Sequence, residues 1–515
     1  MTSSNGSSGN GRSGKTDFAR LLRTTLPLTA QQIGAQALRP LTQRFLPRLF
    51  AWERLPVPPS HLRRLSSRGL QLHAQRERAR FEDRVQRLGG RLLEFEEAYA
   101  LEAGSDGGGL PNRWTAPVAF SPFPASVRAR RLAVALMLGA AESFFEDVVR
   151  AARAVTFQLE VHLLGNHVLE NGIGLLCAGA IVSGIEGASF RNLGMQILNR
   201  ELPKQFLPCG FHAERSISYH LHLAAALLET KMLLAHHDHA LPPRLAETIE
   251  RALVFATAVR APDGTYPLFS DASLDAAPSI DDVLELAEAA GFARPPANEQ
   301  KLRTFRGSGL VIASLGDFFL AFDADEDGYR QQPGHVHADA LTFELWHRGE
   351  RAIVDYGVSS YAVDAAREET RRTRSHNTLE FESENSSEVW SAFRTGRFSR
   401  AHLVATTERT GEVAIAAEHF GYRFLDTKPV HSRRLTLSRR GLSVVDQWTG
   451  DPRSVVSRLR MREGADLEIL GTGEVTESSA VYYPRFAEAN AARLFEQTAT
   501  STNKRLEWQL LSRSS

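Results

Sequence analysis

The sequence predicts a multidomain α+β chain, an all-α half followed by an antiparallel β-sandwich. Apolar residues recur at helical spacing from about residue 70 to 290, with little β-branched alternation. Past Pro295-Pro296 the texture changes to short apolar runs with turn residues between them. The chain has 515 residues, 43% hydrophobic and 23% charged, enough for two or three globular domains.

Taken in order, residues 1–16 form a polar tail whose run Ser3 to Gly11 lacks the apolar core of a secretory signal. Residues 17–69 form a helical extension. Helices are expected over Leu70 to Ala103, Ala125 to Ala152, Val155 to Val182, Glu214 to His236 and Pro243 to Ala258. Gly104 to Gly109, Gly184 to Gly187, Pro208 to Gly210 and Pro262-Asp263-Gly264 separate them. These helices make up a domain over 70–295. A second domain, 300–515, holds strands at Leu310 to Leu315, Phe318 to Phe322, Leu341 to Trp346, Ala352 to Asp355, Leu435 to Leu437, Leu442 to Val445 and Ala480 to Tyr483. The turn His347-Arg348-Gly349-Glu350 makes a hairpin of two of them.

The net charge is +1, so no global field points to nucleic acid. Lysine occurs only at Lys15, Lys204, Lys231, Lys301, Lys428 and Lys504, which leaves arginine with nearly all the positive charge. Codon bias accounts for that; the alternative is that guanidinium forks suit carboxylate or sulfate ligands. Cys177 and Cys209 are the only cysteines, both expected as buried thiols, and no disulfide framework can be read from them. No run approaches the roughly 18 apolar residues of a membrane span. The cytoplasm is the default compartment, with export by another route, to the periplasm, left open.

The densest chemistry lies in Gly334 to Glu344, where His335, His337 and Asp339 stand at i, i+2 and i+4. If that stretch is extended, all three share a face, and such a cluster can bind a metal, hold an acidic substrate, or do both. The hairpin would return Asp355 beside this face if the register is favourable. His376, in the basic segment Arg371 to Thr378, adds another ligand type, and His337, Asp355 and His376 together would suit zinc or a similar ion. In the helical half, Asn166, His167, Glu170 and Asn171 put polar groups in an apolar segment, as a bridge between helices or as part of a cleft. Tyr219 and Glu214 fall near the start of a helix, where a phenol can face a cleft. Trp114, Trp390 and Tyr361 can stack on sugars or pack in a core.

Together these pieces resemble the heparinase II/III-like family of polysaccharide lyases. The resemblance rests on Asn166-His167 with Asn171, Glu201 to Phe206, Glu214-Arg215-Ser216, Tyr219-His220, Asp263-Gly264 with Asp271, His335 to Asp339, Asp355-Tyr356-Gly357, Arg372 to Thr378, and Ser387 to Trp390 through Phe393-Arg394. It covers roughly residues 155 to 450. A weaker match, Leu22 to Gln32, resembles the start of family members found with exopolysaccharide biosynthesis genes.

The resemblance implies an incomplete α/α toroid, a β-sandwich, and a substrate groove between them. It implies β-elimination at a uronic acid of an acidic polysaccharide, with Asn166 and His335 neutralising the carboxylate and Tyr219 protonating the leaving oxygen. Tyr219 would also be the base in a syn elimination, and His335 or His167 in an anti one. Glu214, Tyr361, Arg372, Trp390 and Arg394 would contact substrate. His337, Asp355 and His376 would hold a structural divalent metal such as zinc, with Asp339 as support behind the ligands. Two departures bear on loop geometry: Cys209 stands where relatives carry an acidic residue, and Gly357 to Tyr361 replaces the usual Gly-Thr. The alternative functions are a non-catalytic glycan-binding or exopolysaccharide-assembly protein on the same fold, and a zinc hydrolase. The polymer, the endo or exo mode and the oligomeric state are not legible.

Overall fold

The computed structural model of the chain describes residues 20, 23–25, 28–37, 55–87, 121–297, 299–324, 331–499 and 503–513. The tail expected over 1–16, and Trp114, lie outside the described residues. Among the described residues, helices before the strands include α1 (Arg68–Arg87), α2 (Pro122–Leu138), α3 (Phe144–Phe157), α4 (Gly165–Ile181), α5 (Gly184–Gln205), α6 (Ile217–His236), α7 (Leu245–Val259) and α8 (Ile280–Ala289). They form an incomplete α/α toroid in which α4, buried on every side, is a central element.

Local chemistry sets the ends. Proline opens α2 and Gly139, at φ +113°, closes it, so the single helix expected over Ala125 to Ala152 is two. Similarly, the helix expected over Val155 to Val182 divides at residues 158–164. Helix α5 was not expected, because Gly184 and Gly187 read as punctuation. Gly187 is instead needed inside the helix: a Cβ there would stand 1.9 Å from the Val182 carbonyl oxygen. A capping box of Ser279 and Asp282 starts α8.

The strands are β1 (Leu302–Phe305), β2 (Leu310–Leu315), β3 (Phe318–Asp323), β4 (Phe343–His347), β5 (Glu350–Ile353), β6 (Leu379–Phe381), β7 (Val389–Trp390), β8 (Arg394–Thr395), β9 (Ala401–Arg409), β10 (Glu412–His419), β11 (His431–Ser438), β12 (Gly441–Trp448), β13 (Val455–Arg462), β14 (Leu467–Gly471), β15 (Val475–Arg485), β16 (Glu488–Thr498) and β17 (Arg505–Ser512). A short helix, α9 (Ala365–Thr370), precedes β6. One sheet runs β1-β2-β3-β4-β5-β13-β16-β15, with β6 also on β13, and the second runs β14-β17-β12-β11-β10-β9. Strands β7 and β8 form a separate hairpin.

Strand β3 is buried along its whole length because both of its faces are covered. Phe318, Leu320 and Phe322 join the core between the sheets, with Leu435, Val444 and Trp508. Phe319 and Ala321 join the helical core, together with Ile312 and Trp346. The first sheet is thus a wall shared by both halves, and the loops at its edge meet the loops of the toroid.

The stretch 334–342 is not a strand. It is an irregular loop, with Leu341 at φ +63°, that leads into β4. The β4–β5 hairpin forms, its turn carried by Arg348 and Gly349 at positive φ. Cys177 is buried, whereas Cys209 is only half-buried.

Candidate active site

The 334–342 loop and helix α9 converge on Asp271, a fully buried carboxylate at the toroid side. His335 Nδ1 lies 2.8 Å from Asp271 Oδ2, and His337 Nε2 lies 2.7 Å from Oδ1. Arg367, on α9 and equally buried, donates to both oxygens, with Nη2 at 2.7 Å from Oδ2. Burial alone would raise the Asp271 pKa; Arg367, His335 and His337 instead hold it far below the usual carboxylate range. Asp271 is ionised and fixes which nitrogen of each imidazole carries a proton.

Asn166 and Glu214 form the toroid side. Glu214 accepts the Asn166 backbone N–H and its side-chain amide, each at 2.6 Å, and stands 3.3 Å from His335 Nε2. Only glycine fits at 165, since a Cβ there would lie 2.0 Å from Glu214 Oε1 and the residue has φ +57°. Asn166 Oδ1 is buried without a hydrogen-bond partner. Glu214, expected at the substrate, is thus engaged with Asn166 and His335, both expected site residues.

Tyr219 lies in the first turn of α6, where the Ser216 hydroxyl accepts its backbone N–H. Its ring stacks on His335 with centroids 4.1 Å apart. Burial pushes the phenol pKa up, and the charges of Asp271 and Glu214 add to the shift. Tyr361 packs between Phe393 and Phe486 and donates to the Asp271 backbone carbonyl at 3.3 Å.

His167 faces elsewhere, with Nδ1 3.2 Å from Glu160 and its ring against Phe123. Burial would lower its pKa, but Glu160 outweighs that and raises it. Asn171 donates to Ser126 and Glu160, which makes it a bridge between helices.

On the far side of Asp271, donor atoms of His337, Asp339 and His376 all lie within 4.8 Å of one another. Asp271 takes His337 Nε2, leaving Nδ1 buried and unpartnered; Asp355 takes His376 Nδ1 at 2.9 Å, leaving Nε2 in the same state. Two imidazole lone pairs and a carboxylate thus face one point, a donor set that fits zinc. The expected ligand set named Asp355 where the geometry brings Asp339, and Asp355 instead holds His376 from behind, as Asp339 was expected to do. The 334–342 loop is not extended, and Asp339 accepts the Ser270 backbone N–H at 3.1 Å. Burial lowers His337 to about 3.

Arg372 is not brought to this cluster. It lies 4.0 Å from Glu368 and lines a separate surface pocket with Arg374, Glu380, Ser383, Asn385 and Arg458. Its neighbour Arg371 is the buried one, donating to the Val336 carbonyl at 2.8 Å and so bracing the His335–His337 backbone. Trp390 and Arg394 face each other across the β7–β8 hairpin, whose turn brings Phe393 to 6.2 Å from the His335 ring. Sequence reasoning missed the hub. Asp271 was noted in the motif series but given no role, and Arg367 carried no signal beyond its place after the Asp364 cap.

Two family models match the chain. One described as "Heparinase II/III N-terminus" covers residues 144–290, and one described as "Heparinase II/III-like, C-terminal" covers 297–508. A heparin-sulfate lyase of Bacteroides stercoris is 28% identical over 252 residues, and one of Pedobacter heparinus 27% over 245. Those alignments cover 44% and 43% of this chain but only 38% and 36% of the relatives. Among solved structures, Heparinase III aligns with a TM-score of 0.62 at 16% identity, covering 86% of this chain and 77% of that one. The heparan sulfate lyase from Pedobacter heparinus aligns at 0.55 and 17% identity, with the same coverage. At these identities the structural likeness is one of fold.

Proposed function

Because the chain belongs to the heparinase II/III-like family, we propose that it is a polysaccharide lyase that cleaves a uronate-containing acidic polysaccharide by β-elimination. The observation that carries this reading is the convergence of Asn166, Tyr219 and His335 where the two halves meet, stacked and hydrogen-bonded around Glu214 and Asp271.

The elimination requires three things: neutralisation of the uronate carboxylate, removal of the C5 proton, and protonation of O4 as the C4–O4 bond breaks. Asn166, with an amide hydrogen beyond the one given to Glu214, and His335 Nε2 supply the polar contacts to the carboxylate. Tyr219 has its pKa raised and stays a neutral phenol at working pH, which suits a donor to O4. A phenolate base at the same position would have to form against that shift. Asp271 orients His335 through Nδ1; with a proton on Nε2 His335 contacts the carboxylate, and in the alternative anti elimination an unprotonated Nε2 would take the C5 proton instead, while His167 lies against Glu160. His337, Asp339 and His376 would hold a divalent ion such as zinc. Bound there, the ion would supply a structural tie between the 335–339 loop and the 373–378 segment.

The test is incubation of purified, metal-loaded protein with a panel of uronate polymers while the absorbance of the new unsaturated uronate is followed. Product on at least one polymer, abolished by Tyr219→Phe, is the expected result. Folded protein that binds such polymers without forming product would overturn the reading in favour of a glycan-binding protein.

A further inference from the structure

At the rim of the cleft, arginines gather around one carboxylate. Glu388 accepts Arg23 Nε at 2.7 Å and Nη2 at 2.5 Å, with Arg20 Nε at 3.5 Å and Arg397 Nη1 at 3.9 Å. Arg394, exposed, has no carboxylate partner among the described residues; its guanidinium stands 4.8 Å from the Trp390 ring centroid, and that of Arg20 5.9 Å. Glu384 acts on Arg397 at longer range. Four guanidiniums against these carboxylates leave positive charge in excess.

Half of this patch comes from a segment outside the two family matches, the earlier of which starts at residue 144. That segment is fastened to the sandwich loops. Trp390 Nε1 donates to Thr24 Oγ1 at 3.1 Å, and the buried Gln32 amide donates to the Gln331 carbonyl at 2.9 Å, four residues before His335. The patch therefore stands one hairpin away from the catalytic imidazole. Glu388 reaches its place because residue 396 is glycine: a Cβ there would lie 2.5 Å from Glu388 Oε2. It holds Arg23 and Arg20 in place, so little further ordering is needed when a ligand arrives.

We propose that Arg20, Arg23, Arg394 and Arg397 form a composite subsite for a second anionic group, a carboxylate or a sulfate, on a sugar beyond the one cleaved. The proposal rests on the lyase reading above. Guanidinium forks match either oxyanion in two-point geometry. Trp390 lies beneath two of the guanidiniums and is in part covered by this chain's own N-terminal segment, so it backs the arginines and offers little open ring to a sugar.

The test uses the full chain and two readouts. The first is retention on immobilised heparin and on an immobilised non-sulfated polyuronate in rising salt, which needs no turnover. The second is KM for uronate oligosaccharides of increasing length. Arg20→Gln/Arg23→Gln is expected to elute at lower salt and to raise KM roughly five- to tenfold on long oligosaccharides, with far less change on the shortest one cleaved. Loss on heparin alone assigns a sulfate, and loss on both supports assigns a carboxylate. Arg20→Lys/Arg23→Lys keeps the charge but loses the two-point fork and is expected to recover only part of the retention. Unchanged elution and KM in folded Gln variants would overturn the proposal, as would a Lys pair that behaves like wild type, which would leave charge alone and no guanidinium site. A wild type inactive on every polymer while its elution still shifts would remove the lyase reading and leave the anion subsite standing.

Discussion

The helical core and the boundary between the halves each bury a cluster of carboxylates, imidazoles and arginine. In the core, Arg130 on α2 donates to Glu170 on α4 at 2.9 Å and to Glu229 on α6, while His73 on α1 and His222 on α6 reach the same two carboxylates at 3.2 and 3.5 Å. At the boundary, Asp271 plays the part of those carboxylates for His335, His337 and Arg367. Composition and burial are alike; the backbone is not. Every member of the first cluster sits within a helix. In the second only Arg367 sits in a helix; Asp271, His335 and His337 hang from loops, and in the loops around them Leu164, Arg215, Ser270 and Leu341 take φ values of +53 to +63° without being glycine. Such conformations cost of order 1–3 kcal/mol each and persist where the surroundings over-determine them. Strained backbone beside buried charge, rather than buried charge itself, separates a site from a brace.

The sharpest way to break that distinction is to remove one carboxylate from each cluster. Asp271→Asn is expected to cost about 3–5 kcal/mol, because it leaves Arg367 buried without its counter-charge. It should also abolish product formation in whatever protein remains folded. Glu170→Gln should destabilise by a comparable amount yet leave turnover per folded molecule close to wild type. Urea unfolding with activity normalised to the folded fraction reads both, and equal loss of specific activity in the two variants would erase the contrast.

Next in size is Tyr219→Phe. It removes one hydroxyl and is expected to lower turnover roughly thousandfold, about 4 kcal/mol of barrier. The melting temperature should hardly move, because the ring and its stacking on His335 remain. A variant within tenfold of wild type would return Tyr219 to the packing role.

The halves of the fold were legible because helical spacing and turn-bounded runs are local properties. Helix α5 was not, because Gly187 serves close packing against the Val182 carbonyl and looks in sequence like a breaker. The ligand types of the site were legible for the same local reason: His335 and His337 are two residues apart. The hub was not, since Asp271 meets its partners across 64 and 96 positions and nothing local marks it. Asp355 was expected as a ligand from the hairpin and the resemblance; its carboxylate lies 2.9 Å from His376 Nδ1, while Asp339 is the carboxylate brought to His337 and His376.

A chelator separates the two sides of Asp271. Removing a divalent ion from His337, Asp339 and His376 is expected to lower stability by about 2–3 kcal/mol, as loss of a ligand held at a hundredfold excess over its Kd would. His337→Ala should be insensitive to the same treatment. A melting temperature indifferent to chelator in the wild type, with no metal found by elemental analysis, would assign these side chains a purely hydrogen-bonded role.

Mild acid should weaken the helical half by a smaller effect that leaves its buried carboxylates untouched. In the helical half, burial lowers His212 to about 4 and His220 to about 3. Both are neutral in the folded chain and take up protons near 6.5 when unfolded, so the unfolded state binds more protons as the pH falls and stability drops with it. Between pH 7.5 and 6 the two together should cost about 1–2 kcal/mol. Glu170 and Glu229 add nothing in that window. Burial would raise them, but Arg130 and the neighbouring imidazoles hold both at about 2, so their contribution is present above about 4.5 and fades only as the pH falls toward 2. Urea midpoints across pH 7.5 to 6 measure the slope, and His220→Gln should reduce it by the share of one imidazole, because His337, His419 and His431 are lowered as well while His167 and His376 are raised. An identical slope in wild type and His220→Gln would mean that this imidazole is already protonated in the folded chain.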